Sequence, residues 1–132
     1  RHVSDTVLMF EGGGMRASYT SAMASLLMEQ GITFHYVCGI SAGASNTVNF
    51  LSGDIQRTRE SFVDLVMEPE FGGLSTFLQG KGMFSAEWIY EETGLPGGGL
   101  PFNFDAFWNN QFRALIAIRE KRSFGTRKIW RR

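Results

Sequence analysis

The stretch Tyr36-Val37-Cys38-Gly39-Ile40-Ser41-Ala42-Gly43-Ala44-Ser45 decides how this chain folds. It runs from an apolar strand, through a serine flanked by glycines, into a helix of small residues. This order is typical of a nucleophile elbow, a sharp turn that exposes the serine hydroxyl. Side chains at the glycine positions would meet neighbouring backbone, and the start of the helix favours negative charge near the serine. We therefore predict that Ser41 is a nucleophile and that its elbow consists of Gly39, Ile40, Ala42 and Gly43.

A second glycine-dense turn, Gly12-Gly13-Gly14, follows an apolar run over residues 6–10. Consecutive glycine amides at the start of a helix bind anions, either a phosphate or the oxyanion of an acyl-transfer reaction. Gly12, Gly14 and Ala17 also fit a loose dinucleotide-binding pattern, but the second strand lacks the acidic residue that would hold ribose. The Gly-Lys-Ser/Thr of a P-loop is absent as well. A tight turn that binds no ligand would explain either of these glycine-rich segments alone. It is a poorer explanation for the occurrence of two of them in one chain.

Hydrophobic periodicity predicts strands over residues 6–10 and 34–38, with helices over residues 15–30 and from Ser41 to about residue 51. This alternation implies a parallel sheet with right-handed crossovers. A further amphipathic helix is predicted over residues 55–67, with the charged side chains Arg57, Arg59, Glu60 and Asp64 in solvent. A short helix over 86–92 and a loop over 94–101 follow. The aromatic residues 102–108 either pack on the core, which we favour, or form an exposed lipid-contacting patch, and Asp105 is the candidate cap there.

Composition predicts one globular domain, because 43% of the 132 residues are hydrophobic and the chain is too short for two cores. The sequence contains no apolar stretch long enough to span a bilayer, so we predict a cytoplasmic protein. Cys38 lies in an apolar run, which predicts a buried, unreactive thiol. Residues 1–112 carry five basic and twelve acidic side chains, whereas residues 113–132 carry eight basic side chains and one acidic. Such a shift marks a basic tail or a segment of different origin.

The proton acceptor for Ser41 is not evident in the sequence. A triad of the α/β-hydrolase kind needs a histidine after the serine, whereas His2 and His35 both precede it. The base is therefore predicted either to be a residue other than histidine or to lie beyond these 132 residues.

Two motifs together carry a family resemblance: Glu11-Gly12-Gly13-Gly14-Met15-Arg16 after the first strand and Gly39-Ile40-Ser41-Ala42-Gly43 after the second. With these motifs, and with Asn46 and Ser52-Gly53 following them, residues 5–110 resemble the bacterial patatin-like phospholipase family, lipid acyl hydrolases with a Ser–Asp dyad. The resemblance implies a three-layer α/β/α fold with a mainly parallel sheet and Ser41 as nucleophile. It implies an oxyanion hole centred on the Gly13 and Gly14 amides, within the set Gly12, Gly13, Gly14, Met15 and Arg16.

The resemblance also bears on ligands and partners. It implies a lipid or other acyl-ester substrate, peripheral membrane contact, and neither a metal ion nor an organic cofactor. No nucleic-acid partner is expected. Arg16 would stabilise the glycine turn or the bound anion, although a salt bridge at the start of a helix would explain it equally well.

Two departures from the family pattern affect this interpretation. Ala17 stands where the glycine-rich motif usually ends in glycine, a small change if φ is negative. The dyad aspartate lies in an Asp-Gly-Gly or Asp-Gly-Ala motif on a later strand, but this chain has no Asp-Gly pair, and Asp54 and Asp105 have other neighbours. We therefore predict that residues 1–112 are the N-terminal portion of the domain and that the chain is truncated before its catalytic aspartate. The alternative is an inactive fragment that at most binds lipid or a partner.

Residues 111–132 do not resemble the family, and they reverse the charge balance. With suitable codons, residues 121–132 read in a shifted frame as Lys-Ala-Glu-Phe-Trp-Asn-Glu-Lys-Asp-Met-Glu-Glu, which is acidic like residues 1–112 and similar to the family's next strand. We therefore hypothesise a frameshift, which sequencing of the gene would test, since a shifted frame without a downstream Asp-Gly contradicts it. The rival is a native tail that binds nucleic acid or anionic lipid, though it lacks a repeated arginine–aromatic pattern.

Overall fold

A four-stranded sheet organises the chain, which a computed structural model describes over residues 1–69, 71–73, 78–80, 89, 92–119 and 127–130. The strands lie in the order β1 (His2–Phe10), β2 (Thr33–Ile40), β3 (Arg113–Arg119) and β4 (Arg127–Trp130). The first three are parallel, and β4 runs antiparallel to β3. The described helices are α1 (Ala17–Glu29), between β1 and β2, and α2 (Ala42–Ser52), α3 (Ile55–Glu60) and α4 (Phe104–Asn109), between β2 and β3. The predicted α/β class with a mainly parallel sheet is confirmed.

The core lies between the sheet and the helices α1 and α2. Its fully buried members come from β1, α1, β2 and α2: Phe10, Ala24, Val37, Phe50 and Leu51. The rings of Phe10 and Phe50 meet edge to face with their centroids 5.8 Å apart. In the sheet, Phe10 pairs with Gly39, so β1 and β2 end side by side. The two glycine turns that follow these strands are therefore neighbours.

The other face of the sheet is exposed at several apolar positions. Because side chains alternate between faces along a strand, the neighbours of buried Phe10 and Val37 point away from the helices. Val7, Met9 and Ile40 are accordingly exposed. The described helices thus form one layer against one face of the sheet.

The helix predicted over residues 55–67 is shorter than its periodicity indicated. It ends at Glu60 and continues as turns and a 3-10 segment, Leu65–Met67. The Ser61 hydroxyl donates to the Arg57 carbonyl at 2.7 Å, and the Ser61 N–H donates to the same oxygen at 2.9 Å. A serine that bonds back in this way often bends a helix.

Two further details differ from the predictions made from the sequence. Arg57, predicted in solvent, is half-buried. The cap of α4 is Asn103, whose Oδ1 accepts from the Ala106 N–H at 2.9 Å, so the prediction of Asp105 as cap is wrong and Asp105 lies in the first turn. The short helix over residues 86–92 falls mostly outside the described residues.

The sheet continues beyond residue 112, where the charge balance reverses. Arg113–Arg119 form β3, in which Leu115 pairs with Cys38 of β2. The apolar run over residues 114–118 is the sequence signal for this strand. Residues 120–126 and 131–132 lie outside the description, so the frameshift hypothesis for residues 121–132 stays a prediction.

We expect Asp54→Ala to lower the free energy of unfolding by about 1 kcal/mol. Asp54 caps α3 by accepting a hydrogen bond from the Arg57 N–H at 2.8 Å. Asp64→Ala removes the same charge from a residue without a capping bond, so it should change stability by less than about 0.5 kcal/mol. Urea denaturation of both variants measures the difference, and equal effects would contradict the capping role.

Candidate active site

Ser41 occupies a strained turn between β2 and α2. Its φ of 56° and ψ of −127° make it the one non-glycine residue with positive φ in the part of the chain that the structure describes. A conformation of this kind costs on the order of 1–3 kcal/mol and is found mainly at functional sites. The residue is exposed, whereas Ala42 and Gly43 immediately after it are buried. This is the backbone geometry that a nucleophile elbow requires.

The glycines on either side of Ser41 are required by close approaches of backbone. A Cβ atom on Gly39 would collide with the Gly43 carbonyl and the Thr47 hydroxyl. A Cβ on Gly43 would lie 2.7 Å from the Phe10 carbonyl carbon and 2.8 Å from the Glu11 carbonyl oxygen. Real Cβ atoms essentially never come within 3.0 Å of such neighbours. The start of α2 therefore rests directly on the end of β1.

The second glycine turn lies against the serine turn. A Cβ on Gly12 would be 3.2 Å from the Ser41 Cβ and 3.0 Å from the Ile40 carbonyl oxygen. Gly13 and Gly14 have φ values of 144° and 57°, which residues other than glycine rarely adopt. The structure thus brings together the two motifs that the sequence placed 25 or more residues apart.

Arg16 and Ala17 complete the glycine turn. The Arg16 N–H donates to the Gly13 carbonyl at 3.2 Å. The Arg16 side chain folds back over the turn, with its Nε 3.4 Å from the position of a Cβ on Gly13. Ala17 has φ −64° and is buried, so alanine is tolerated where the family pattern has glycine. Met15 lies in the short 3-10 segment Gly14–Arg16 and is partly exposed.

The histidines lie far from Ser41. His35 is five residues before the end of β2, which places it roughly 16 Å from that end. Its ring contacts those of Tyr36 and His2, with centroids 4.7 Å and 6.1 Å away. Asp54 lies beyond the opposite end of α2 and caps α3, and Asp105 is exposed on α4. The structure therefore gives Ser41 no partner from these four candidates.

Two side chains near the elbow have structural explanations. Asn46, which matched the family's continuation, is fully buried and donates from Nδ2 to the Ala17 carbonyl at 3.3 Å, so it ties α2 to α1. Cys38 is half-buried rather than buried, and burial raises the pKa of its thiol above the usual value. The reactive thiolate is therefore disfavoured at neutral pH.

An apolar cavity of about 500 Å³ lies beside the two turns. It begins at Gly14, Met15 and Ala42 and follows one face of α2 through Ser45 to Asn49. A cavity of this size and polarity suits a small apolar ligand or an acyl chain. The rest of its described lining is Val48 of α2 together with residues of α3, α4 and the segments around them: Arg57, Ser61, Phe62, Leu65, Phe71, Ile89, Thr93, Gly94, Leu95, Leu100, Phe102, Phe104, Phe107 and Trp108.

The aromatic segment packs on the core through Phe107, as predicted, and it also lines this cavity. Phe102 and Phe107 are half-buried, with ring centroids 5.7 Å apart. Phe104 and Trp108 are 45% and 52% exposed. The segment therefore combines the two alternatives left open by the sequence, a packed side and an exposed aromatic side.

Sequence reasoning missed the residues that shape the cavity. Asn49 was not singled out, and Arg57 was assigned to solvent. The available signal was the spacing of Ala42, Ser45 and Asn49 at helical intervals, which places them on one face of α2. Nothing in the sequence indicated that residues 93–108 would close over that face.

A family model described as patatin-like phospholipase matches residues 8–131 of the chain. The match includes both glycine turns and extends to residue 131, so the prediction that residues 111–132 do not resemble the family is wrong. The predicted domain boundary at residue 112 stays a prediction. No curated protein and no solved structure matches the chain significantly. Among the described helices, none has the length and apolar character needed to cross a membrane.

Proposed function

The chain belongs to the patatin-like phospholipase family, and from this premise we propose that it is a lipid acyl hydrolase with Ser41 as its nucleophile. The observation that carries the proposal is the strained, exposed conformation of Ser41 directly against Gly12. Strain at one exposed serine has no evident structural use, whereas it presents a hydroxyl to a substrate.

In this mechanism the Ser41 Oγ attacks the carbonyl carbon of an ester, and a base takes the hydroxyl proton. The carbonyl oxygen becomes an oxyanion that accepts hydrogen bonds from the Gly13 and Gly14 N–H groups, with Gly12, Met15 and Arg16 holding the turn in place. The alcohol leaves with the proton from the base, and water then hydrolyses the acyl-enzyme. The cavity along α2 would hold the acyl chain during both steps.

The base of this mechanism is the one group for which the sequence offers no matching motif. The resemblance implies an aspartate in an Asp-Gly motif, and residues 1–132 contain no such pair. We propose that this aspartate belongs to a longer form of the enzyme, which is the form in which we expect ester turnover and labelling of Ser41. The second candidate function follows from the same observation: an inactive fragment that binds lipid or a partner through the cavity.

The rim of the cavity supports contact with lipid. Met15, Leu95, Phe104 and Trp108 line the cavity and are also exposed. Aromatic and large apolar side chains at such a rim favour the boundary between water and a lipid surface. We propose peripheral membrane contact through this rim. The cytoplasmic location and the absence of a nucleic-acid partner stay predictions.

We expect kcat/KM for p-nitrophenyl esters to rise from acetate to octanoate by about three- to fourfold per added CH₂, because each buried CH₂ contributes about 0.8 kcal/mol. Imidazole-catalysed hydrolysis of the same esters is the control and should not show this rise. Turnover without length dependence would contradict the assignment of the cavity to the acyl chain. No turnover above the buffer rate would favour the inactive fragment.

A further inference from the structure

Arg57 is the one charged side chain among the described residues that line the cavity. Its Nε donates to the Asn49 Oδ1 at 3.1 Å, and its Nη1 donates to the Leu100 carbonyl oxygen. The guanidinium also lies over the Phe102 ring, 5.3 Å from its centroid. Both hydrogen-bond acceptors are neutral, so they do not balance the positive charge.

The nearest carboxylates on the same helix are engaged elsewhere. Asp54 accepts from the main-chain N–H of Arg57, and Glu60 accepts from Gln56 Nε2 at 2.6 Å. Their attraction only partly opposes the burial that lowers the pKa of Arg57. A guanidinium has five N–H donors, and the hydrogen bonds within the described part of the chain account for two of them. Arg57 therefore has donors available for an anionic group in the cavity.

The shape of the cavity places this charge at a definite distance from the serine. The lining follows α2 from Ala42, next to Ser41, to Asn49, which holds Arg57. Eight residues at a helical rise of 1.5 Å separate Ser41 from Asn49 by about 12 Å. An extended chain advances about 1.2 Å per bond, so about ten bonds span this distance.

We propose that Arg57 binds a carboxylate at the distal end of the acyl chain, so that the preferred substrates are esters of long dicarboxylic acids whose second carboxylate is free. The inference rests on the proposed function, because it takes Ser41 as the end at which the ester is cleaved. An arginine can hold a carboxylate through two parallel hydrogen bonds. The phosphate of a phospholipid lies only a few bonds from its ester carbonyl, too near to the serine to reach Arg57 along the cavity.

Binding to the Ser41→Ala chain tests the proposal without requiring turnover, so a failed mechanism would not affect the result. Isothermal titration calorimetry would compare the monomethyl ester of decanedioic acid with methyl decanoate and with monomethyl succinate. We expect the long half-ester to bind at least tenfold more tightly than either of the others. Adding Arg57→Gln should abolish this preference and leave methyl decanoate binding within about twofold. Arg59→Gln removes the same charge from an exposed site on α3 and should change neither affinity.

Several results would overturn the proposal. Equal affinity for the long half-ester and methyl decanoate would show that Arg57 does not bind the carboxylate. If Arg57→Gln lowered the affinity for the long half-ester and for methyl decanoate by the same factor, Arg57 would only hold α3 against α2 and the Leu100 segment. Arg57→Lys is the second variant, for use if thermal melting shows that Arg57→Gln does not fold. It keeps the positive charge, so it should retain a reduced preference for the long half-ester. A folded Arg57→Lys chain with no such preference would contradict the inference.

Discussion

Gly43→Ala is expected to lower the free energy of unfolding by about 4 kcal/mol or more, an effect in the upper range for a single substitution. The added Cβ would lie 2.7 Å from the Phe10 carbonyl carbon and 2.8 Å from the Glu11 carbonyl oxygen. These are main-chain atoms at the end of a paired strand, so they cannot rotate away as a flexible side chain could. Relief requires α2 to move off the sheet, which would separate Phe50 from Phe10 in the core.

Thermal denaturation followed by circular dichroism measures this effect, and we expect the melting temperature to fall by about 10 °C or more. Gly99→Ala is the matched control, because a Cβ there meets no atom within 4 Å and the residue has no left-handed φ. It should change the free energy of unfolding by less than about 1 kcal/mol. The direction should be a small increase, because alanine reduces the conformational entropy of the unfolded chain. A Gly43→Ala chain that melts within a few degrees of the parent would contradict the close contact between α2 and β1.

The order of elements around the two glycine turns could be predicted from the sequence because each depends on local chemistry. A short apolar run, glycines and a small-residue helix specify strand, turn and helix within about 15 residues. The structure places these strands and helices where they were predicted, with β1 and β2 longer by a few residues. The adjacency of Gly12 and Ser41 follows because parallel neighbouring strands end at the same edge of the sheet.

What could not be predicted depends on contacts between distant segments. The apolar run over residues 114–118 indicates a strand, but its place in the sheet depends on its pairing with β2, which lies more than 70 residues earlier in the chain. Arg57 has the sequence context of a solvated helix face, and only the packing of Leu100 and Phe102 against it makes it part of a cavity. The early end of α3 likewise depends on the Ser61 hydroxyl, which bonds both to the helix and to Asn49.

Ser41→Ala is expected to reduce kcat/KM for a p-nitrophenyl ester by about 10³-fold or more, because removal of a nucleophile abolishes the covalent pathway. The melting temperature should stay within about 2 °C of the parent, since the side chain is exposed and the alanine keeps the same backbone conformation. Ser4→Ala, which removes an exposed hydroxyl from β1, should retain full activity. A Ser41→Ala chain that keeps most of the serine enzyme's activity would exclude Ser41 as the nucleophile.

Labelling of the folded enzyme with a fluorophosphonate, followed by peptide mass spectrometry to locate the adduct, tests whether Ser41 is an activated nucleophile. We expect one phosphonyl group on the peptide that contains Ser41, the same group in Ser4→Ala, and none in Ser41→Ala. A folded chain that is not labelled, or that is labelled at another residue regardless of Ser41, would contradict it.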